Sequence, residues 1–172
     1  MLIIEQQQKG KKVHLFHSIF ISSLISDNGI SYDNVKGWST NVNGGDIFNL
    51  DKLFIPINIG NQHWILAVIF MSEKRIQIYD SLHGSHYLYL RKLLLYLQSE
   101  FYDKKKHRGS WNDWTLVPCQ DDTPTQRNGF DCGVFVCMFV HFISDNRDLN
   151  FNQSDITSYR NFIAYQLIRL GA

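Results

Sequence analysis

The chain has 172 residues, of which 44% are hydrophobic, 14% aromatic and 19% charged. A chain of this length can bury about 68–70% of the surface that its unfolded form exposes, so a single packed domain is expected and a disulfide-stapled miniprotein is unnecessary. The 17 Lys and Arg residues against 16 Asp and Glu residues leave a net charge of +1. Because this charge is so small, no overall field directs the protein to nucleic acid or to an anionic membrane.

The first predicted element is an amphipathic helix over residues 13–26. Its apolar residues recur at helical spacing and stop at an Asp-Asn-Gly sequence; they are Val13, Phe16, Phe20 and Leu24. Residues 53–59 predict a strand, in which Pro56 indicates an edge or a bulge. Residues 62–70 and 75–79 predict two more strands, joined as a hairpin by polar residues.

Helices dominate the second half of the chain. One apolar stripe predicts a helix that ends in the basic run 104–108; it consists of Leu90, Leu93, Leu94, Leu97 and Phe101. Residues 114–117 predict a short strand, and residues 133–144 predict a nearly all-apolar helix. A last helix is predicted from Ile156, Tyr159, Ile163, Leu167 and Leu170. Strands clustered between helices predict an α+β fold.

The cysteines indicate a compartment. Three cysteines cannot all pair within one chain, and none forms a Cys-x-x-Cys pair. A reducing, intracellular location, in the nucleus or the cytoplasm, is therefore expected. The apolar start at residues 1–4 turns polar at once, and the apolar run at 133–140 ends at His141, so neither a signal peptide nor a membrane span is expected.

Cys132 stands where a polar loop meets the nearly all-apolar helix. The unpaired N–H groups and the dipole of a helix N-terminus favour a thiolate, which is the reactive form of a cysteine nucleophile. Gly133 removes a side chain beside the sulfur, so the backbone of a substrate can come close. The other two cysteines are predicted to be packing residues, because Cys119 is close to two aspartates and Cys137 lies inside the helix.

The predicted hairpin supplies a base for this nucleophile. If the connecting turn has four residues, Phe70 pairs with Arg75. His63 then lies diagonally beside Asp80, and such neighbours are about 7–8 Å apart at the backbone, close enough for an imidazole to meet a carboxylate. We therefore predict that Asp80 holds one ring nitrogen of His63 while the other faces the nucleophile, as nucleophilic acyl transfer requires.

Two further side chains complete the predicted site. The amide of Gln126, six residues before Cys132, is a candidate donor to an oxyanion, beside the backbone N–H of Cys132. Trp64 follows His63 directly, and its flat ring can wall a substrate groove. A single Cys, His or Gln of this kind is usually packed or solvated, so only the combination indicates catalysis.

Several stretches share one family pattern. They are Trp38 with its neighbours, Ile-Pro-Ile at 55–57, His63-Trp64 before an apolar strand, Tyr-Asp-Ser at 79–81, and Gln-Arg-Asn-Gly-Phe-Asp-Cys-Gly at 126–133. The intervals of 17 residues from His63 to Asp80 and of six from Gln126 to Cys132 fit the same pattern. In these features, from about residue 13 to residue 170, the sequence resembles the ubiquitin-like-protein-specific cysteine proteases, the SUMO or sentrin protease family.

The resemblance implies a papain-like α+β fold, in which a central mixed sheet is flanked by helices. It implies these roles: His63 as base, Asp80 as its orienter, Cys132 as nucleophile and Gln126 as oxyanion donor. Trp64 matches the tryptophan that walls the family's substrate tunnel, where Gly133 leaves room; only glycine is thin enough to pass under an indole beside the nucleophile.

The same resemblance implies the substrate. It is the C-terminal Gly-Gly tail of a ubiquitin-like modifier, SUMO first, with NEDD8-like proteins and ubiquitin as alternatives. Cleavage after this tail matures precursors or releases the modifier from target lysines. No cofactor and no metal are expected, and the protein is expected to be a monomer that binds neither nucleic acid nor membrane.

One feature departs from the family. Its members usually carry a Trp-Leu-x-Asp-x-x-Ile segment upstream of the first predicted helix, and the tryptophan of this segment forms the other wall of the tunnel. The chain shows no counterpart of it. We expect residues 1–172 to be a single catalytic domain without this segment, either shortened at its N-terminus or with a more open groove that binds substrate more weakly.

Other functions remain as alternatives. The protein could hold a ubiquitin-like partner without cutting it, or transfer an acyl group to an acceptor other than water. The basic run at 104–108 is compatible with a nucleic-acid or nuclear-import patch, although a solvated loop fits it better. A serine hydrolase would need a Gly-x-Ser-x-Gly motif, which is absent. Zinc would need a third and a fourth ligand beside each of the pairs His14 and His17, His83 and His86, and Cys137 and His141.

Overall fold

The computed structural model describes residues 10–42 and 44–169. Its helices and strands, in chain order, are β1 (Val13–Leu15), α1 (Phe20–Leu24), β2 (Ile25–Ser26), β3 (Gly29–Ile30), β4 (Lys52–Ile59), β5 (His63–Phe70), β6 (Arg75–Tyr79), α2 (Tyr87–Lys105), β7 (Thr115–Val117), α3 (Cys132–Ser144) and α4 (Ile156–Arg169). The predicted N-terminal run at residues 1–4 and Leu170 lie outside the described residues.

The main sheet is mixed and has the strand order β1-β4-β5-β6-β7. Its three central strands are antiparallel neighbours, whereas β1 and β7 pair with the sheet in parallel. Pro56 lies in β4 beyond Phe54, the last residue that pairs with β1. This part of β4 therefore has an edge that β1 does not cover, which agrees with the edge position predicted for a residue that lacks an N–H.

Helices cover both faces of the sheet because β5 is buried on both sides. Ile65, Ala67 and Ile69 belong to a core with α1 and α2, and the alternate residues Leu66, Val68 and Phe70 belong to a core with α3 and α4. This alternation follows from the two-residue period of a strand. Two apolar layers on one sheet give the α+β architecture that the sequence predicts.

The predicted helix over residues 13–26 is wrong at both ends. Val13–Leu15 is a strand that pairs with Lys52–Phe54, Ile25–Ser26 is a strand that pairs with β3, and only Phe20–Leu24 is α-helical. The apolar residues at helical spacing do not share a face, since Val13 packs in the core with α3 and Phe16 packs in the core with α1. The open edge of β4 binds the backbone of β1, and this tertiary pairing overrides the local pattern.

The other predicted elements are present with small shifts at their ends. Strand β5 begins at His63 rather than at residue 62, and β7 begins at Thr115 rather than at residue 114. Strand β6 has the predicted bounds, Arg75–Tyr79, and α3 begins at Cys132, one position before the predicted start. Cys132 is therefore itself the first residue of the helix.

Candidate active site

His63 and Asp80 meet at one end of the hairpin. Phe70 pairs with Arg75, so the turn has the predicted length and the register carries His63 at the start of β5 toward Asp80, just after β6. His63 Nε2 lies 2.6 Å from Asp80 Oδ1. The contact predicted from the register is thus present, and Nδ1 is the ring nitrogen that Asp80 Oδ1 does not hold.

Asp80 is ionised by its surroundings. Its side chain is only 1% exposed, and this burial by itself would raise the pKa of the carboxyl. The N–H of Leu82, the imidazoles of His63 and His86, and the N–H of Gly84 act against burial, and together they hold the pKa of Asp80 below its ordinary value. The charged Asp80 carboxylate accepts one hydrogen bond from His63 Nε2 and another from His86 Nε2.

Cys132 begins helix α3 and is 6% exposed. The preceding residue, Asp131, accepts from the backbone N–H groups of Val134 and Phe135 through its own carbonyl, at 2.9 and 3.0 Å. The N–H of Cys132 itself has no carbonyl one turn earlier, as at every helix start, so it can donate to a substrate. The helix dipole adds a positive field at the sulfur.

The loop before Cys132 is anchored through the side chain of Asp131. This carboxylate accepts from Asn128 Nδ2 at 2.7 Å and from Gln153 Nε2 at 2.8 Å, and it also pairs with Arg160 of helix α4. Burial would raise the pKa of Asp131, but these partners lower it below the ordinary value. The nucleophile loop is thereby fixed to the C-terminal helix region.

The other two cysteines have the environment of thiols rather than thiolates. Burial raises the pKa of Cys119 and the pKa of Cys137. Cys119 Sγ donates to the backbone carbonyl of Asp80 at 3.3 Å. All three cysteines are free of disulfide bonds. These surroundings fit the prediction that Cys119 and Cys137 are packing residues.

Gln126 is tied to the residue that follows Asp80. Its side-chain Oε1 accepts from Ser81 Oγ at 2.6 Å, and its backbone N–H donates to the Ser81 carbonyl at 3.0 Å. The amide Nε2 donates to the carbonyl of Asn128. Since an amide nitrogen carries two hydrogens, one remains for an oxyanion. The structure thus fixes this buried amide in the loop that leads to Cys132.

Trp64 and Gly133 lie side by side beyond the nucleophile. A Cβ atom on Gly133 would be 3.8 Å from Trp64 Cδ1, and both residues line a groove of about 450 Å³ with Cys132. The groove continues over apolar side chains of the loop and of α4, including Phe130 and Leu167. The predicted wall of a substrate groove therefore lies beside the nucleophile.

His86 is the residue of this site that sequence reasoning missed. The sequence pairs it with His83 only as a candidate for zinc binding. In the structure, its Nε2 lies 2.8 Å from Asp80 Oδ2. His83 is directed elsewhere, to the Thr123 carbonyl and Thr125 Oγ1. The sequence places His86 only six residues after Asp80. This spacing alone does not predict the loop conformation that brings the two side chains together.

The described residues offer neither a metal cluster nor a membrane-spanning helix. Among residues 10–42 and 44–169, no cluster of three or more His, Cys, Asp or Glu side chains is arranged to hold a metal ion. Of the helices in this described part, none combines the length and the apolar content that crossing a bilayer requires.

Comparison with known proteins gives one consistent family. The sequence model of the Ulp1 protease family, C-terminal catalytic domain, matches residues 2–171. A sentrin-specific protease of Caenorhabditis elegans is 37% identical over 160 residues, covering 93% of this chain and 22% of the relative. The ubiquitin-like-specific protease ESD4 of Arabidopsis thaliana is 33% identical over 168 residues, covering 97% of this chain and 34% of the relative. The chain thus spans between about a fifth and about a third of the length of these curated relatives.

A solved structure is similar over most of the chain. The C-terminal Ulp1 protease domain in complex with Smt3, the yeast ortholog of SUMO, has a TM-score of 0.76 and 32% identity. The similarity covers 95% of this chain and 71% of that one. A structure of the SUMO protease Ulp1 whose catalytic cysteine is oxidised to a sulfonic acid has a TM-score of 0.78 and 29% identity, covering 99% of this chain and 75% of that one.

Proposed function

This chain belongs to the Ulp1 protease family, and we propose that it is a cysteine protease that cleaves after the C-terminal Gly-Gly of a ubiquitin-like modifier. The observation that carries the proposal is the partly buried His63–Asp80 pair, at 2.6 Å, in a chain whose helix α3 begins with Cys132 beside a groove. Binding a partner would not require these groups together, so the pair favours catalysis over a non-catalytic binding module.

The reaction begins with attack of the Cys132 thiolate on the carbonyl carbon of the last glycine. His63, held by Asp80 through Nε2, carries the proton that the thiol gives up. The carbonyl oxygen becomes an oxyanion that accepts from the Cys132 N–H and from the Gln126 amide. When the intermediate collapses, the C–N bond breaks, the leaving amine takes the proton from His63, and a thioester remains.

Water completes the cycle. His63 removes a proton from the water molecule as its oxygen attacks the thioester carbonyl, and the oxyanion forms again between the same donors. The C–S bond then breaks, the modifier leaves with a free carboxylate, and the Cys132 sulfur regains its proton from His63. Because the acyl part is the same whether the leaving amine is a peptide or a lysine side chain, one site serves precursor maturation and release from conjugates.

The groove explains why the tail would be glycine. Trp64 and Gly133 border the approach to Cys132, and a substrate residue with a Cβ would have to pass an indole ring at this point. The names of the sentrin-specific relative and of the Ulp1 domain in complex with Smt3 support SUMO as the modifier. NEDD8-like proteins and ubiquitin share the tail chemistry and are tested as alternatives.

The proposal also covers the compartment in which the protein acts and its oligomeric state. Three free thiols support a reducing compartment, which the nucleus and the cytoplasm both provide. His63 and Asp80 meet within one chain, so the proposed reaction needs no second copy, and we propose that the protein acts as a monomer.

A cleavage assay tests the proposed function. SUMO, NEDD8 and ubiquitin precursors, each with a short C-terminal extension, are incubated with the protein, and the products are identified by mass. We expect cleavage after Gly-Gly for SUMO, complete loss in Cys132→Ala, and retention in Cys137→Ala, whose thiol lines the same groove.

Different products would overturn the proposal. Intact precursors that nonetheless bind the protein reversibly would indicate a binding module. Acylation of Cys132 by acetyl-coenzyme A, without cleavage of any precursor, would indicate an acyltransferase.

A further inference from the structure

Asp80 is shared by two imidazoles. His63 Nε2 lies 2.6 Å from Oδ1, and His86 Nε2 lies 2.8 Å from Oδ2. The backbone N–H of Leu82 donates to Oδ1 and that of Gly84 donates to Oδ2, both at 2.8 Å. Each oxygen of the carboxylate is thus held by one imidazole and one backbone group, and the mechanism proposed above uses only the first imidazole.

The loop is built so that His86 reaches Asp80. A Cβ atom on Gly84 would lie 2.2 Å from His86 Nε2 and 2.8 Å from Asp80 Oδ2, so only glycine leaves room for this contact. His86 has φ 50°, in the left-handed region that non-glycine residues rarely adopt. Such backbone conformations persist only where the surroundings enforce them.

The ring of His86 does not serve the neighbouring helix. His86 precedes the first residue of α2, yet its side chain makes no capping hydrogen bond there. The ring is instead turned toward the carboxylate, although 21% of it stays exposed. The contact with Asp80 therefore accounts for its orientation better than the stability of α2 does.

Few other ionisable groups face His86. The ring of Tyr89 in α2 lies 6.1 Å away between centroids. On the other side lie Asp80 and, through it, His63. The Cys119 thiol donates to the backbone carbonyl of Asp80, and burial raises its pKa, so it stays neutral. His86 therefore acts on the site chiefly through the shared carboxylate.

We infer that His86 is a positioning residue of the active site, which orients Asp80 for His63. As a donor to Oδ2, His86 fixes one oxygen of the carboxylate, so that the other oxygen, Oδ1, stays directed at His63. Without this donor, the carboxylate can turn away from His63, and the chemical step slows.

Three variants separate this role from a structural one. His86→Ala removes the donor, His86→Gln keeps a nitrogen donor that does not titrate, and His83→Gln is the matched control in the same loop. We expect kcat of His86→Ala to fall about tenfold with KM unchanged, because a misdirected carboxylate affects the chemical step. The amide donor of His86→Gln should restore most of the kcat lost in His86→Ala, and His83→Gln should have the kcat of the parent.

Because the inference rests on the proposed function, a second readout works without cleavage. The Nε2–H proton of His63 is followed by NMR in a Cys132→Ser background, with and without His86→Ala and His86→Gln. We expect its signal to keep its downfield position in His86→Gln and to move upfield in His86→Ala, because the hydrogen bond to Asp80 Oδ1 weakens there. If the signal does not move in His86→Ala and this variant has the kcat of the parent, the inference is wrong. If the signal moves while no modifier is cleaved, the positioning role stands and the proposed function fails.

Discussion

The charge of Asp80 is set at the scale of single side chains. Burial alone would raise the pKa of its carboxyl, but the imidazole and backbone donors around it lower the pKa below the ordinary value of 3.8. A carboxyl with a lowered pKa stabilises the folded state fully above its unfolded value, and this stabilisation is lost as the pH falls through the folded value. The contribution of Asp80 is therefore intact at neutral pH and is lost only below pH 3.8.

Asp80→Asn tests this environment. The new amide NH₂ group would replace one carboxylate oxygen and would face an imidazole and a backbone N–H that now donate to that oxygen. These buried donors would then lose their acceptor. We expect the free energy of unfolding to fall by about 2–3 kcal/mol and kcat to fall by about 10³-fold or more. Asp113→Asn is the control, because Asp113 is half exposed and pairs with Lys74 at the surface. Equal stability and activity of the two variants would refute the role given to Asp80.

Gln126→Ala tests the oxyanion donor. We expect kcat to fall by about 10²–10³-fold, while affinity for the modifier, measured in a Cys132→Ser background, stays nearly unchanged. Ser81→Ala is the partner variant, since it removes the hydrogen bond to Gln126 Oε1 and leaves the donating nitrogen in place. Its effect on kcat should be smaller. A loss of affinity as large as the loss of kcat in Gln126→Ala would contradict the assignment.

The sequence predicts the contact between His63 and Asp80 but not the contact of His86 with the same carboxylate. The His63–Asp80 contact followed from one assumption about turn length and the two-residue period of strands, and both features are present. His86 could not be found in this way. Its contact depends on left-handed backbone conformations at His83 and His86 and on an adjacent glycine, which no regular periodicity describes.

At the scale of elements, helix α3 joins the core to the groove. Its apolar residues pack against β5, while its first turn supplies Cys132 and Gly133. In that turn, a Cβ on Gly133 would make only an ordinary contact with Trp64, at 3.8 Å. Packing therefore does not require glycine at this position, and the open space is available to substrate.

Gly133→Ala separates the effect of this residue on the stability of α3 from its effect on the passage of substrate. The helix should gain up to about 1 kcal/mol of stability from the better helix former, whereas kcat/KM should fall because the methyl group narrows the passage beside Trp64. Thermal unfolding and cleavage rates measure the two quantities. Gly129→Ala is the matched control, since a Cβ there meets no neighbour within 4 Å. If Gly133→Ala cleaves as fast as Gly129→Ala, the passage does not need glycine.

Strand β1 is an element that the sequence predicts wrongly, as the first part of a helix. Val13 and Phe16 have helical spacing, but they pack on opposite faces of the sheet. Hydrophobic periodicity predicts a helix only if the apolar residues share one face. The strand β1 is fixed by pairing with Lys52–Phe54, a partner almost forty positions away in the sequence, so a local pattern could not reveal it.

At the scale of the whole molecule, the sheet is the scaffold that assembles the site. Strand β5 carries His63 and Trp64, Asp80 follows β6, and α3 packs on the sheet with Cys132 at its start. The architecture was predictable because long apolar segments dominate it. The exact loop between β7 and α3, which holds Gln126 through Ser81, was predictable only as a polar connection, since its side-chain hydrogen bonds define its shape.

At the centre of the proposed mechanism, Cys132, activated by His63 and Asp80, attacks the carbonyl carbon of the last glycine of a diglycine tail. Covalent capture tests it most directly: SUMO with an electrophile in place of its C-terminal carboxylate is added to the protein, and the adduct is mapped by peptide mass. We predict one adduct on Cys132, lost in Cys132→Ala, much slower in His63→Ala and unchanged in Cys137→Ala. An adduct on Cys119 or Cys137, or equal rates with and without His63, would contradict the account.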